Sequence, residues 1–80
     1  MSMIWRDCFD RPFIVGEDVI YGIVPNGEVE MRSGIVFEIE DDHLTISYNE
    51  WIGKDEFVYS AEFTERRYPD GKIPCLCKLK

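Results

Sequence analysis

The sequence predicts an all-β domain, five short antiparallel strands in a meander that curls into a small barrel, and three observations carry that expectation. The segment from Val29 to Tyr48 alternates apolar and polar residues almost without a break, which is the period of a hairpin with one solvated face. Turn chemistry recurs at short spacing, at Pro25-Asn26-Gly27, at Asp41-Asp42 and at Pro69-Asp70-Gly71. Gly34 falls inside the longest strand, where a small sheet must bend to close.

Ser2 to Phe9 forms either a two-turn helix or an irregular arm over an open barrel end, and Asp10-Arg11-Pro12 ends it in both cases. Residues 1–12 are thus an arm and 13–80 the barrel of a single domain. The first strand is expected at Val19 to Val24. With Pro25-Asn26-Gly27 as a three-residue turn, Ile23 faces Val29, Tyr21 faces Met31 and Val19 faces Ser33. The second strand runs from Glu28 to Glu40 and the third from His43 to Asn49. With Asp41-Asp42 as the loop, Ile39 faces Leu44, Phe37 faces Ile46 and Ile35 faces Tyr48, while Glu40 faces His43 and Glu38 faces Thr45. Trp51 and Ile52 fold back on the core from the loop 50–54. Phe57, Tyr59, Ala61 and Phe63 mark the inner face of a fourth strand, and Ile73 to Leu79 is the fifth. The expected core is Val19, Tyr21, Ile23, Met31, Ile35, Phe37, Ile39, Leu44, Ile46, Tyr48, Phe57, Tyr59, Cys75, Cys77 and Leu79. Phe37→Ala should then cost roughly 3–5 kcal/mol.

The strand entry Phe13-Ile14-Val15-Gly16-Glu17-Asp18-Val19-Ile20-Tyr21 and the strand Ser33-Gly34-Ile35-Val36-Phe37-Glu38-Ile39-Glu40 with its acidic turn resemble the SH3-like small barrels of Tudor and KOW modules. The resemblance covers residues 13–63 and implies an SH3-like barrel, without transferring an activity. The chain departs from that pattern in placing Glu17 between the glycine and the aspartate. It also lacks the basic loops of the nucleic-acid-binding members.

Sixteen acidic residues against nine Lys and Arg give a net charge of −7, which disfavours direct binding to phosphate backbones and favours basic protein partners. The same surplus also serves solubility. Three cysteines without framework spacing fit a reducing cytoplasm. No apolar run suits a membrane span, and no signal peptide is evident. Cys75 and Cys77, on one side of a strand, with Cys8 and His43 make a zinc site conceivable, but the hairpin puts His43 on the opposite face. Buried inert thiols, with no metal or cofactor, are the expectation, and redox or disulfide chemistry is the remaining reading. His43 sits beside Asp41 and Asp42 and across from Glu40, which favours its protonated form, and it has no pocket partner for general-base chemistry. No enzymatic site is expected. Tyr21, Phe37, Tyr48, Trp51 and Tyr59 invite comparison with a methyl-cation cage, although four of them fall on inward positions.

The expected function is a small non-enzymatic cytoplasmic interaction or inhibitory module. Its acidic hairpin face, Glu28, Glu30, Glu38, Glu40, Asp41 and Asp42 around Val36, would bind a basic partner. An inhibitor of a nucleic-acid enzyme, such as a phage-encoded one, is a subclass, because carboxylates can lie where phosphates would. The alternative is a Tudor- or KOW-like accessory module that recognises nucleic acid or a modified peptide tail through Trp51, Arg66 and Arg67. Monomer and weak homodimer both fit. The dimer rests on the apolar arm Met3-Ile4-Trp5, since Trp5 is costly to leave in water.

Overall fold

The computed structural model describes residues 3–79, so the start of the arm at Ser2 lies outside the described residues. Five antiparallel strands form one sheet: β1 (Asp18–Ile23), β2 (Glu30–Ile39), β3 (His43–Tyr48), β4 (Tyr59–Thr64) and β5 (Leu76–Lys78), in the order β4-β3-β2-β1-β5. The strands are rich in β-branched and aromatic residues, and the predicted all-β class holds. The barrel does not. β4 and β5 stand at opposite edges and do not pair, so the sheet is open, and the expected SH3-like barrel and its Tudor or KOW resemblance are overturned.

What covers the sheet explains why it need not close on itself. Trp5 of the arm, Phe13 just after it and Ile73 of the last connection join Val19, Val36, Leu44, Ile46, Phe63 and Leu76 in one buried cluster. The arm is irregular rather than helical. Its Arg6 amide donates to the Gly71 carbonyl at 2.8 Å, the Ile73 amide to the Arg6 carbonyl at 2.9 Å and the Cys8 amide to the Leu76 carbonyl at 3.0 Å. Trp5, only 2% exposed, donates its indole N–H to the Glu40 carbonyl at 2.8 Å. The residue that motivated a dimer is therefore spent on the chain's own core. Gly71 makes this docking possible, since a Cβ there would collide with the Ile4 carbonyl, and its φ of 80° is open to glycine.

Both hairpin registers differ from the simple alternation. At the first turn Asn26 and Gly27 both take positive φ, and Pro25–Gly27 form a 3-10 turn. The ladder closes at Ile23 and Glu30, with Tyr21 opposite Arg32 and Val19 opposite Gly34, one residue away from the expected pairing. In the second hairpin the turn end is as expected, with Ile39 opposite Leu44 and Glu38 opposite Thr45. Beyond it the register shifts between Val36 and Glu38, so Val36 rather than Phe37 faces Ile46, and Ile35 faces Ser47. This is a β-bulge. Its cause is long-range: the Gly16 amide donates to the Val36 carbonyl at 2.8 Å and the Val36 amide to the Glu17 carbonyl at 3.0 Å, which fixes Val36 in the ladder. Phe37 is the surplus residue and is 64% exposed, whereas Val36 is 1% exposed.

The expected core changes accordingly. Val19, Leu44 and Ile46 are buried, and Tyr21, Ile39, Tyr48 and Cys75 pack partly buried against them. Ile23, Ile35 and Cys77 are half-buried. Phe37, Met31, Phe57, Tyr59 and Leu79 are exposed, as are Trp51 and Ile52, which do not fold back. β5 is short, and its inward residue is Leu76, with Ile73 just before it.

Candidate interaction surface at the acidic end of the sheet

The six carboxylates expected on one hairpin face separate into two groups. Glu28 and Glu30 lie at the start of β2, and Glu38, Glu40, Asp41 and Asp42 lie at its far end and turn. At the rise of an extended strand, Glu30 and Glu38 are about 26 Å apart. Glu30 is also paired with Arg32 at 2.6 Å. Val36, the expected apolar centre of the face, is buried and cannot touch a partner.

A different set assembles at the turn end. The Glu65 amide donates to the Asp42 carbonyl at 2.9 Å, and β4 lies with Glu62 opposite Thr45 and Thr64 opposite His43. Glu62 and Glu65 thereby join Glu38, Glu40, Asp41 and Asp42 at one end of the sheet. An open groove of about 550 Å³ is lined there by Asp42, His43, Glu62, Thr64, Glu65 and Arg66, with Pro69 beside them. The sequence pattern marked Glu62 only as an outward strand position and did not single out Glu65. Their spacing after Phe57-Val58-Tyr59 was visible, but the β3–β4 register that delivers them was not.

His43 is clamped in this set. Its Nε2–H donates to Glu38 Oε1 and its Nδ1–H to Asp42 Oδ1, each at 2.7 Å. The bond to Glu38, then that to Asp42, raises its pKa to about 9, so the ring is an imidazolium at neutral pH with both N–H groups engaged. The hydrogen bond from His43 in turn lowers the pKa of Asp42.

The residues of the alternative reading do not converge. Trp51 is 50% exposed, but Lys54 Nζ lies 4.4 Å from its ring centroid, held by Glu50 at 3.0 Å. Arg66 lies in the acidic groove, and the Arg67 guanidinium sits 5.8 Å from the Tyr68 ring. Tyr48 stacks on Tyr59 at 5.5 Å, and Tyr21 meets Tyr48 edge-on at 5.1 Å. These rings face one another in a row, not around a shared cavity.

Two further features lie at the other edge. Cys8 and Cys77 form a disulfide, with Cα atoms 5.4 Å apart, which corrects the expectation of inert thiols; Cys75 is free and partly buried. Asp7 is fully buried. Its Oδ1 accepts from the Phe9 and Arg11 amides at 3.0 and 2.8 Å. Its Oδ2 accepts from Arg11 Nε and Nη2 at 3.0 and 2.8 Å and from the Lys78 amide at 3.0 Å. Burial pushes its pKa up, but the Lys78 amide, the Arg11 guanidinium and the local amides outweigh burial and hold it at about 2. The bonds to residues two and four ahead are local chemistry that Asp7-x-Phe9-x-Arg11 could have signalled. The bond to Lys78 is not.

The chain is a small all-β domain. Among its described residues no group of three or more His, Cys, Asp and Glu is placed to hold a metal ion, and no helix is long and apolar enough to cross a membrane. Compared with known proteins, the chain matches no family model, and no curated protein or solved structure resembles it at a significant level.

Proposed function

We propose that this protein is a non-enzymatic interaction or inhibitory module that binds a basic partner protein through the acidic end of its sheet. The observation that carries the reading is the convergence of Asp42, Glu62 and Glu65 on one groove, with Glu38 bonded to the groove's His43 and with Glu40 and Asp41 in the adjoining turn; among the groove's lining residues His43 and Arg66 are the basic ones. Carboxylates gathered at one end of a molecule of net charge −7 produce a field that steers a cationic surface toward that end. Nucleic-acid enzymes are a partner class with such surfaces, because they present Lys and Arg to phosphates. The non-enzymatic part rests on His43, whose two ring N–H groups are both given to carboxylates, leaving no lone pair for a general base.

Affinity capture from host extract tests the reading, with wild type beside a variant carrying Glu38→Lys, Asp41→Lys, Asp42→Lys and Glu65→Lys. The wild type should retain basic proteins that elute with salt and that the variant does not retain. Identical partner sets from the two baits would refute it.

A further inference from the structure

The two edges of the sheet differ in what meets them. On β5 the Cys8 amide bonds the Leu76 carbonyl and Asp7 Oδ2 takes the Lys78 amide, so the arm occupies that edge. β4 ends the sheet on the other side, with β3 its one strand neighbour.

The direction of the β4 backbone groups follows from the ladder. The Glu40 amide donates to the His43 carbonyl at 2.8 Å, so the His43 backbone faces β2. Backbone polar groups alternate sides along a strand, which turns those of Leu44, Ile46 and Tyr48 toward β4. Their partners Phe63, Ala61 and Tyr59 therefore direct theirs to β3, in agreement with the Glu65 amide on the Asp42 carbonyl. The N–H and C=O of Ser60 and Glu62 and the N–H of Thr64 point away from the sheet. The Thr64 carbonyl is already taken by the Arg67 and Tyr68 amides.

An open row of this kind is a template for another strand unless it is blunted. β4, Tyr-Ser-Ala-Glu-Phe-Thr, contains no Pro and no Lys, and its one charge is Glu62. We infer that β4 accepts an extended basic segment of a partner protein as a sixth strand, hydrogen-bonded to Ser60 and Glu62. The occupant is set by what flanks the edge. On the outer face Glu62 stands beside Asp42 and Glu65 of the groove, which suits Lys or Arg at alternate positions of the added strand. On the inner face Ala61 and the 48% exposed Tyr59 suit apolar residues at the positions between. A second copy of the chain fits less well, because it would bring another Glu62 and another net charge of −7 to the same edge.

This inference rests on the acidic-end reading and adds the geometry of capture. The probe is an eight-residue peptide alternating Val and Lys, blocked at both ends, titrated into the ¹⁵N-labelled protein. A control peptide has the same composition and charge but is N-methylated at every second residue. The plain peptide should slow hydrogen exchange of the Ser60 and Glu62 amides at least tenfold at saturation, and the methylated one should not. Ser60→Pro removes an outward N–H without touching the β3 ladder and should weaken binding of the plain peptide at least tenfold. If both peptides bind wild type equally, the added strand is refuted whether or not the proline variant folds. Equal binding accompanied by shifts at Asp41, Asp42 and Glu65 refutes the strand and leaves the acidic-end reading standing. Slowed edge amides in the protein alone, with a dimer in sedimentation, would overturn the inference in favour of self-pairing.

Discussion

The β5 edge and the β4 edge end the same sheet with opposite chemistry. At β5 the backbone is met by an arm, a buried carboxylate and a covalent bond, and the polar groups that a strand edge exposes are satisfied within the chain. At β4 Ser60 and Glu62 are left to solvent, and the carboxylates of Asp42, Glu62 and Glu65 line the adjoining groove. The difference teaches that the same five strands need not be protected evenly. The chain's own arm protects one edge, and the edge beside the groove stays available for contact.

The largest test of that division is to cut the covalent tie. Cys8 and Cys77 are 69 residues apart, and closing a loop of that length stabilises by about 4 kcal/mol in the chain-entropy account. The Cys8→Ser/Cys77→Ser variant should lose about that much in urea denaturation, and an unchanged midpoint would mean the arm holds without it. Next is Asp7→Ala, which strips partners from three backbone amides and the Arg11 guanidinium. We expect a loss of about 3 kcal/mol at neutral pH. Because the folded pKa of Asp7 lies near 2, below the ordinary 3.8, its contribution is present above pH 3.8 and lost as pH falls toward 2. The variant's stability should fall less steeply than that of wild type over that interval.

A reference away from both edges comes from the central strand. Val36→Ala should cost about 2 kcal/mol and Phe37→Ala within about 0.5 kcal/mol, the reverse of what strict alternation implies. Comparable losses for the two would place the bulge elsewhere. On the open edge, Ser60→Pro should change stability by no more than about 1 kcal/mol. Ala61→Pro, whose amide serves β3, should cost several times more. The smallest effect is electrostatic. The pKa of His43 is raised from 6.5 to about 9, so its favourable contribution is complete below pH 6.5 and disappears as pH rises through 9. His43→Gln should flatten the stability profile between those values.

Local chemistry made much of this fold legible. Asp41-Asp42 sets a turn that pairs Ile39 with Leu44, and alternating β-branched and aromatic residues locate β1 to β4, whereas β5, Leu76–Lys78, has neither. Alternation failed where one residue had to be absorbed. Whether Val36 or Phe37 turns inward depends on Gly16 and Glu17, some 20 residues away in the chain, and no short-range pattern contains that bond. Closure was misjudged for a related reason. Trp5 reads as part of an appended arm and Phe13 as the lead into the first strand, yet both join the core that a barrel would have enclosed. The acidic site was half legible: Glu38 to Asp42 stand together in sequence, whereas Glu62 and Glu65 arrive by strand pairing. Asp7 was obscured because a lone carboxylate near an arginine gives no sign that it will be buried.

The link between Cys8 and Cys77 also sets how the molecule would respond to tension. A pull applied on either side of the link runs through the arm to Cys8, crosses to Cys77 in β5 and leaves through Lys78, bypassing β1 to β4. While the bond is intact, the chain between these cysteines cannot be drawn out, whatever happens to its hydrogen bonds. Reduction would release 69 residues of slack, roughly 240 Å at the reach of an extended chain. A load that had bypassed four strands would then strip β5 and pass along residues 65–75 to β4, and along the arm to β1.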